Sequence, residues 1–203
     1  MYGLGILQGL GVTLRRFIET YVEDLKWGVK RYTTDEGFIE RQSTDTRGLF
    51  TVQYPEEKIA VPERFRFIPF LVVNDDDHPE EPGKYWCTAC GICAKVCPPQ
   101  CIWIVRDSDP ETGRPVPQPA EFYIDIDICM NCGYCAEFCP FDAIKMDHEY
   151  ELAGYDRTGT HVFDMERLGK PQSYWQTIAP TRAEEERLAR EASELAKAAR
   201  RRR

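Results

Sequence analysis

The first 30 residues alternate apolar and polar positions with a regular period. Apolar side chains recur every three or four residues, at Leu4, Leu7, Leu10, Leu14, Phe17, Ile18, Tyr21 and Leu25. Polar residues such as Arg15, Glu19 and Glu23 fall between them. This is the period of an amphipathic α-helix, which we expect within residues 1–30. Its apolar face needs a cover, which is either protein or the surface of a membrane.

Most of the remaining polar segments are expected to be extended. Residues 31–80 contain prolines that resist helix formation, so we expect an arm there. Residues 106–121 are rich in proline and glycine and are expected to form a loop. Residues 154–180 show no regular pattern and are expected to form a second extended arm. Residues 181–203 begin with a capping-box string, "TRAE", and predict a charged C-terminal helix.

All nine cysteines lie between Cys87 and Cys139, in a central segment of residues 81–153. A segment of this size buries a modest apolar core, so it needs metal or disulfides to be stable by itself. No basic leader of a secretory signal is visible, and no apolar run approaches the roughly 20 residues that cross a bilayer. We therefore expect an intracellular, non-spanning chain, whose cysteines favour metal ligation over disulfides.

The central segment is an internal duplication. The string "CTACGICAKVCPPQCIWI", from Cys87, aligns with "CMNCGYCAEFCPFDAIKM", from Cys129, at one constant offset. Each half has the form C-x2-C-x2-C-x3-C-P. This run is typical of bacterial ferredoxins with two [4Fe-4S] clusters, in which the fourth cysteine ligates the cluster of the other half.

The motif predicts two sets of four ligands. Cluster 1 is assigned Cys87, Cys90, Cys93 and Cys139, and cluster 2 is assigned Cys129, Cys132, Cys135 and Cys97. Gly91 and Gly133 permit the chain to wrap tightly. The fourth cysteine is expected to open a short helix that carries its sulfur to the other half, and Pro98 and Pro140 suit the first turn of such a helix. Eight thiolates also suffice for two zinc sites, but zinc sites usually use separated C-x2-C pairs.

The ninth cysteine, Cys101, has no role in this scheme. Its counterpart in the second half is Ala143, so we expect Cys101 to be a small buried side chain, with a spare-ligand or redox role as the alternative. Lys95 and Glu137 also occupy equivalent positions. Their opposite charges suggest unequal potentials for the two clusters.

The flanking strings indicate a small α+β domain. "KYW" and "FYIDID" precede the two motifs as strands, and "CIWIV" and "AIKM" follow them as return strands. We expect a ferredoxin-like 2[4Fe-4S] domain over residues 81–153, with a pseudo-twofold internal repeat that buries both clusters.

This arrangement favours electron transfer over catalysis. Every iron of each cluster has a thiolate, so none is open to a substrate. The three histidines, His78, His148 and His161, are scattered and predict no catalytic residue. A formal net charge of −8 argues against a nucleic-acid partner, because phosphate binding needs a concentrated basic face.

Outside the cysteines, the strings "GLGVTLRRF", "TVQYPEEK", "RFRF" and "MDHEYELAGYDR" resemble the signature segments of one family. From about Gly9 to Arg157 the chain is similar to subunit I of NADH-quinone oxidoreductase, the ferredoxin-like subunit of respiratory complex I. The resemblance implies a relay of electrons through two [4Fe-4S] clusters, from an upstream iron-sulfur subunit to the iron-sulfur subunit at the quinone site. The chain would be one subunit of a proton-translocating oxidoreductase, without a substrate site of its own.

The same resemblance implies a location. The N-terminal helix would lie at the membrane surface against the membrane arm, with the subunit peripheral on the cytoplasmic side of the inner (plasma) membrane. Two departures from the family are a long insertion, residues 27–50, and the C-terminal helix, which has no counterpart.

Two other kinds of electron carrier share the cysteine motif. One is the relay subunit of a related membrane-bound hydrogenase or ferredoxin-driven complex, whose electron donor is set by other subunits. The other is a free, diffusible ferredoxin, against which the N-terminal helix and the extended arms argue.

Overall fold

The computed structural model describes residues 3–43, 45–49, 51–79 and 81–201. The chain divides into two compact units, residues 1–60 and 61–203. The helices are α1 (Leu4–Trp27), α2 (Lys30–Thr33), α3 (Asp35–Gln42), α4 (Ile92–Val96), α5 (Tyr134–Glu137), α6 (Arg157–His161), α7 (Met165–Leu168), α8 (Gln172–Ile178) and α9 (Pro180–Arg201). The strands are β1 (Pro69–Val73), β2 (Ile102–Ser108), β3 (Pro115–Asp125), β4 (Ile144–Met146), β5 (Val162–Phe163) and β6 (Gly169–Pro171).

Helix α1 lies within the stretch whose apolar period predicts a helix. None of its residues is buried, and its apolar side chains, such as Leu7 and Phe17, are exposed. On its polar side Arg15 pairs with Glu19 at 2.9 Å. In the described parts of the chain, no helix is both long enough and apolar enough to span a membrane.

The rest of the first unit differs from the extended arm expected over residues 31–80. Helices α2 and α3 form there, and Thr34 caps α3 by accepting a backbone N–H of the first turn at 3.2 Å. Arg31 and Arg41 are buried beside these helices, and Arg41 donates to the Arg31 carbonyl at 2.9 Å. Its guanidinium also pairs with Glu57. Short helices of this kind depend on tertiary contacts, which a period of a few residues does not reveal.

Two three-stranded sheets build the second unit, in the orders β4-β1-β6 and β2-β3-β5. Strand β1 pairs antiparallel with β4 and parallel with β6, which places Leu71 opposite both Ile144 and Gly169. Strands β2 and β3 form an antiparallel hairpin with Ile102 opposite Ile124. Strand β2 follows the first cysteine motif and β4 follows the second. The two motifs therefore continue into different sheets.

The strands around the motifs agree in part with the sequence. The string "CIWIV" covers the start of β2, "AIKM" contains β4, and "FYIDID" contains the end of β3. The string "KYW" forms only an isolated bridge between Tyr85 and Val73. Strand β1 lies outside the expected limits of residues 81–153, yet it pairs with β4. The sheet therefore extends beyond the predicted domain.

The loop expected over residues 106–121 is wrong. Strand β2 continues to Ser108 and β3 starts at Pro115, which leaves a turn of six residues between them. The prolines of β3 stand two residues apart, so their missing N–H groups all face one edge of the strand. Over this stretch β3 pairs with β2 alone, because β5 reaches only Ile124 and Asp125. Proline is tolerated on such an open edge.

Residues 154–180 also differ from the expected extended arm, because they contain α6, β5, α7, β6 and α8. These elements have two to seven residues each. Elements this short show no recognisable period of apolar residues. Strand β6 pairs with β1, and β5 pairs with β3. Helix α9 then begins at Pro180, one residue before the predicted capping string. The last two residues of the basic C-terminus lie outside the described part of the chain.

The buried core joins both sheets to the cysteine loops. Leu71 from the first sheet and Phe122 and Ile124 from the second pack in one cluster with buried cysteines. Phe70 and Val72 point to the opposite face of β1, where Trp175 of α8 covers them. The cysteine loops therefore rest on a core that both sheets supply.

Candidate functional site

The two cysteine loops have matching backbone conformations. Ala89 and Asn131 have φ angles of 52° and 53°, and Gly91 and Gly133 have φ angles of 75° and 79°. Helices α4 and α5 start directly after these glycines. A left-handed conformation costs a non-glycine residue about 1–2 kcal/mol. Ala89 adopts it because the loop turns tightly at this position.

Backbone N–H groups in these loops turn toward sulfur. The Ala89 amide donates to Cys87 Sγ at 3.4 Å, and the Ala143 amide donates to Cys139 Sγ at 3.4 Å. Amides that point at sulfur atoms stabilise negative charge on them. The loops are thus arranged for thiolates.

The first cavity lies beside the first loop. Four cysteines line it: Cys87, Cys90, Cys93 and Cys139. The rest of its wall is mostly apolar, with Leu71, Ile104 and Phe122 from the two sheets. The Thr88 hydroxyl also lies in this wall and, among the described residues, has no hydrogen-bond partner although it is buried. This wall offers four thiols and one hydroxyl donor without a partner. It therefore fits a bound group whose sulfur atoms can accept hydrogen bonds.

The second cavity lies beside the second loop. The cysteines in its wall are Cys97, Cys101, Cys129, Cys132 and Cys135. Pro69, Ile102 and Met146 add apolar surface. In both cavities, the fourth cysteine of one motif lies with the first three of the other.

Burial disfavours free thiolates in these cavities. It raises the pKa of both Cys93 and Cys135 to about 12, and it raises the pKa of Cys87 as well. A hydrogen bond from the Cys101 thiol instead lowers the pKa of Cys129 to about 6. Ligands of a metal must be deprotonated, so the positive charge of bound iron would offset the cost of burying these thiolates.

One local expectation about the motifs is wrong. The fourth cysteine does not open a helix: α4 ends at Val96 and α5 ends at Glu137, so each helix precedes its fourth cysteine. Only three residues separate Cys97 from Cys101, and β2 starts at Ile102. That length is too short for a helix, and the chain forms a turn instead.

An arginine that the sequence analysis missed covers the second loop. Arg66 donates to the Cys132 carbonyl at 2.9 Å and pairs with Glu137 at 2.6 Å. The charge of Glu137 is therefore compensated locally, which weakens the expectation that Lys95 and Glu137 alone separate the two potentials. The only signal in the sequence was the basic and aromatic string "RFRF", which does not show where Arg66 points.

Each of the three histidines makes a separate local contact. His78 accepts the Glu81 amide at 3.2 Å, and His148 Nε2 lies 3.4 Å from the Glu63 carbonyl. His161 contacts the Asp127 carboxylate at 2.8 Å. Each histidine has a local hydrogen-bonding role, and they do not converge on a common site.

The comparisons with known proteins agree with this geometry. A family model described as a 4Fe-4S dicluster domain matches residues 86–143. The fold and the cysteine cavities define a ferredoxin-type iron-sulfur protein with two [4Fe-4S] clusters.

Curated relatives narrow this class to one family. The chain is 40% identical, over 60% of its length, to NADH-quinone oxidoreductase subunit I 2 of Symbiobacterium thermophilum, and the match covers 48% of that protein, about half its length. It is 36% identical, over 61% of its length, to subunit I 1 of Koribacter versatilis and covers 78% of it. It is 38% identical, over 58% of its length, to subunit I 2 of Geobacter metallireducens and covers 82% of it. The chain belongs to the NADH-quinone oxidoreductase subunit I family.

Proposed function

We propose that this chain is the electron-relay subunit of an NADH:quinone oxidoreductase and passes electrons through two [4Fe-4S] clusters toward the terminal cluster at the quinone site. The observation that carries the proposal is the pair of neighbouring cavities, each lined by the four cysteines that the motif predicts. Each bound cluster would supply one-electron redox chemistry.

The proposed ligands are Cys87, Cys90, Cys93 and Cys139 for cluster 1, and Cys129, Cys132, Cys135 and Cys97 for cluster 2. The grouping of cysteines around the two cavities supports this crossed assignment. The matching φ angles of the two loops support a pseudo-twofold repeat. Beyond the loops, each motif continues into a different sheet.

The residues around the cavities have three tasks in this function. The cysteines would hold the clusters, backbone amides donate to the ligand sulfurs, and the unpaired Thr88 hydroxyl would donate to cluster 1. The apolar walls would limit the access of water. The cavities are also neighbours, since Cys93 of the first wall and Cys135 of the second belong to one cluster of buried residues. Close spacing favours electron transfer from one site to the other.

The proposal includes a location and partners. The exposed apolar face of α1 supports contact with a membrane surface or the membrane arm of the complex. The subunit would lie on the cytoplasmic side of the inner (plasma) membrane, between an upstream iron-sulfur subunit and the iron-sulfur subunit at the quinone site. The names of the relatives support membership of such a complex.

Paired serine variants of the fourth cysteines test the ligand assignment. Cys90→Ser and Cys132→Ser each change a cysteine of one cavity only and serve as references. In EPR spectra of the reduced holoprotein, Cys97→Ser should lose the signal that Cys132→Ser loses, and Cys139→Ser should lose the signal that Cys90→Ser loses. The opposite pairing would refute crossed ligation.

Metal and sulfide analysis tests the function itself. The purified complex should contain iron and acid-labile sulfide at this chain, and NADH should reduce both clusters. Zinc without acid-labile sulfide would refute the relay. Purification of a soluble, monomeric holoprotein from native extract would instead indicate a free ferredoxin.

A further inference from the structure

Cys101 is the fifth cysteine in the wall of the second cavity, where four ligands are already present. Its side chain is 1% exposed. Its Sγ lies 3.4 Å from Cys97 Sγ, within hydrogen-bonding distance for sulfur. Cys101 thus contacts one of the four proposed ligands of cluster 2 and shares a cavity with the other three.

Ligation fixes the direction of this hydrogen bond. A cysteine that binds iron does so as a thiolate, which has no hydrogen to donate. Cys97 is therefore the acceptor when a cluster is bound. Cys101 is not needed as a ligand and keeps its hydrogen, so its S–H group is the donor.

We propose that the Cys101 thiol donates a hydrogen bond to the Cys97 ligand sulfur of cluster 2 and so raises the reduction potential of that cluster. The proposal rests on the ligand assignment given above. It changes the role of Cys101 from a packing residue to one that adjusts the energy of an electron carrier.

The physical reason is the extra negative charge of the reduced cluster. A donor beside a ligand sulfur stabilises the reduced form more than the oxidised form, and hydrogen bonds to sulfur are among the factors that set cluster potentials. The effect is stronger in a buried site, where the effective dielectric constant is low. Solvent screens this bond little, because Cys101 is buried.

The internal repeat provides a matched control. Ala143 occupies the position of Cys101 in the other half, and it lies in the wall of the first cavity, where it is 2% exposed. Its spacing from Cys139 equals the spacing of Cys101 from Cys97. The first cavity therefore lacks a thiol where the second has one.

The test is an EPR-monitored redox titration of the full-length holoprotein. The variants are Cys101→Ala, Cys101→Ser and Ala143→Cys, each also assayed for iron and acid-labile sulfide. Cys101→Ala should retain both clusters and lower the midpoint potential of cluster 2 alone. Cys101→Ser retains a donor and should stay closer to the parent, and Ala143→Cys should raise the midpoint potential of cluster 1.

A direct measurement of the hydrogen complements the titration. After transfer to D2O, pulsed EPR of reduced cluster 2 should detect an exchangeable deuteron in the parent that is missing in Cys101→Ala. A pure packing role would leave both the potential and this coupling unchanged.

The other outcomes each decide the matter. Loss of cluster 2 in Cys101→Ala would show that Cys101 is itself a ligand and would overturn the inference. An unchanged potential in a variant that keeps both clusters would overturn the inference and leave the relay function intact. A parent protein without two clusters would refute the proposed function instead.

Discussion

Replacing Asp147 by asparagine should loosen the attachment of the C-terminal segment to strand β4. The Asp147 side chain is 2% exposed. Its carboxylate accepts from the Tyr174 hydroxyl at 2.6 Å and from the His148 amide at 2.7 Å, and it pairs with the Lys170 ammonium. Asparagine keeps the size of the side chain but removes its charge, and its amide group directs a donor at groups that are donors themselves.

The expected loss follows from two weakened hydrogen bonds. A bond to a charged group contributes about 1.5–3 kcal/mol, against about 0.5–1.5 kcal/mol for a neutral bond, so weakening the bonds from Tyr174 and Lys170 costs about 2–3 kcal/mol. The cost stays below the roughly 3–5 kcal/mol of a broken buried ion pair, because Lys170 keeps Glu149 at 3.1 Å. At about 2–4 °C per kcal/mol, the Tm should fall by roughly 4–12 °C.

Thermal unfolding of the holoprotein measures this change, with cluster absorbance and far-UV circular dichroism recorded at one fixed scan rate. A fixed rate is needed because loss of a cluster makes unfolding irreversible. Glu149→Gln is the control, since this half-exposed side chain should change stability by less than about 1 kcal/mol. If Asp147→Asn melted within about 2 °C of the parent, the buried carboxylate would not hold this segment in place.

Three further predictions concern other parts of the chain. Gly133→Ala should lose more iron and sulfide per chain than Gly91→Ala: both have a positive φ, but a Cβ on Gly133 would lie 2.9 Å from Arg66 Nη1, whereas Gly91 faces open space. Equal losses would contradict this role of Arg66. Arg41→Ala should destabilise the first unit, because the buried guanidinium loses its bonds to the Arg31 and Thr51 carbonyls and to Glu57. Proteolysis should speed up there while cluster absorbance stays unchanged. Burial and a hydrogen bond to a carboxylate raise the pKa of Tyr174 to about 12. Its contribution to stability is complete below the unfolded pKa of about 10 and is lost as the pH rises through the folded value, so the Tm should fall over this range in the parent and less in Tyr174→Phe.

Local patterns account for the parts of the fold that could be predicted from the sequence. The period of apolar residues marks the position of α1, and the predicted return strands coincide with the start of β2 and with β4. Where the stabilising contacts are remote, the expectations differ from the structure. Helix α3 depends on buried arginines, and β6 forms only because β1 lies beside it.

The same distinction applies to the candidate site. The spacing of the cysteines predicts which residues surround each cavity, because the loop geometry is encoded within a few consecutive residues. The crossed assignment of Cys97 and Cys139 remains a prediction that the cavities support. Arg66, which lies over the second loop, could not be placed, since its partner Glu137 is distant in the sequence.

The sequence by itself determined the class of cofactor, the eight candidate ligands and the family, because thiol identity and spacing are properties of short stretches of chain. Only the tertiary structure decided what stands beside those ligands. It places the Cys101 sulfur against Cys97, and the Asp147 carboxylate against Lys170. Such contacts depend on how the two sheets pack around a common core, and no local pattern specifies that packing.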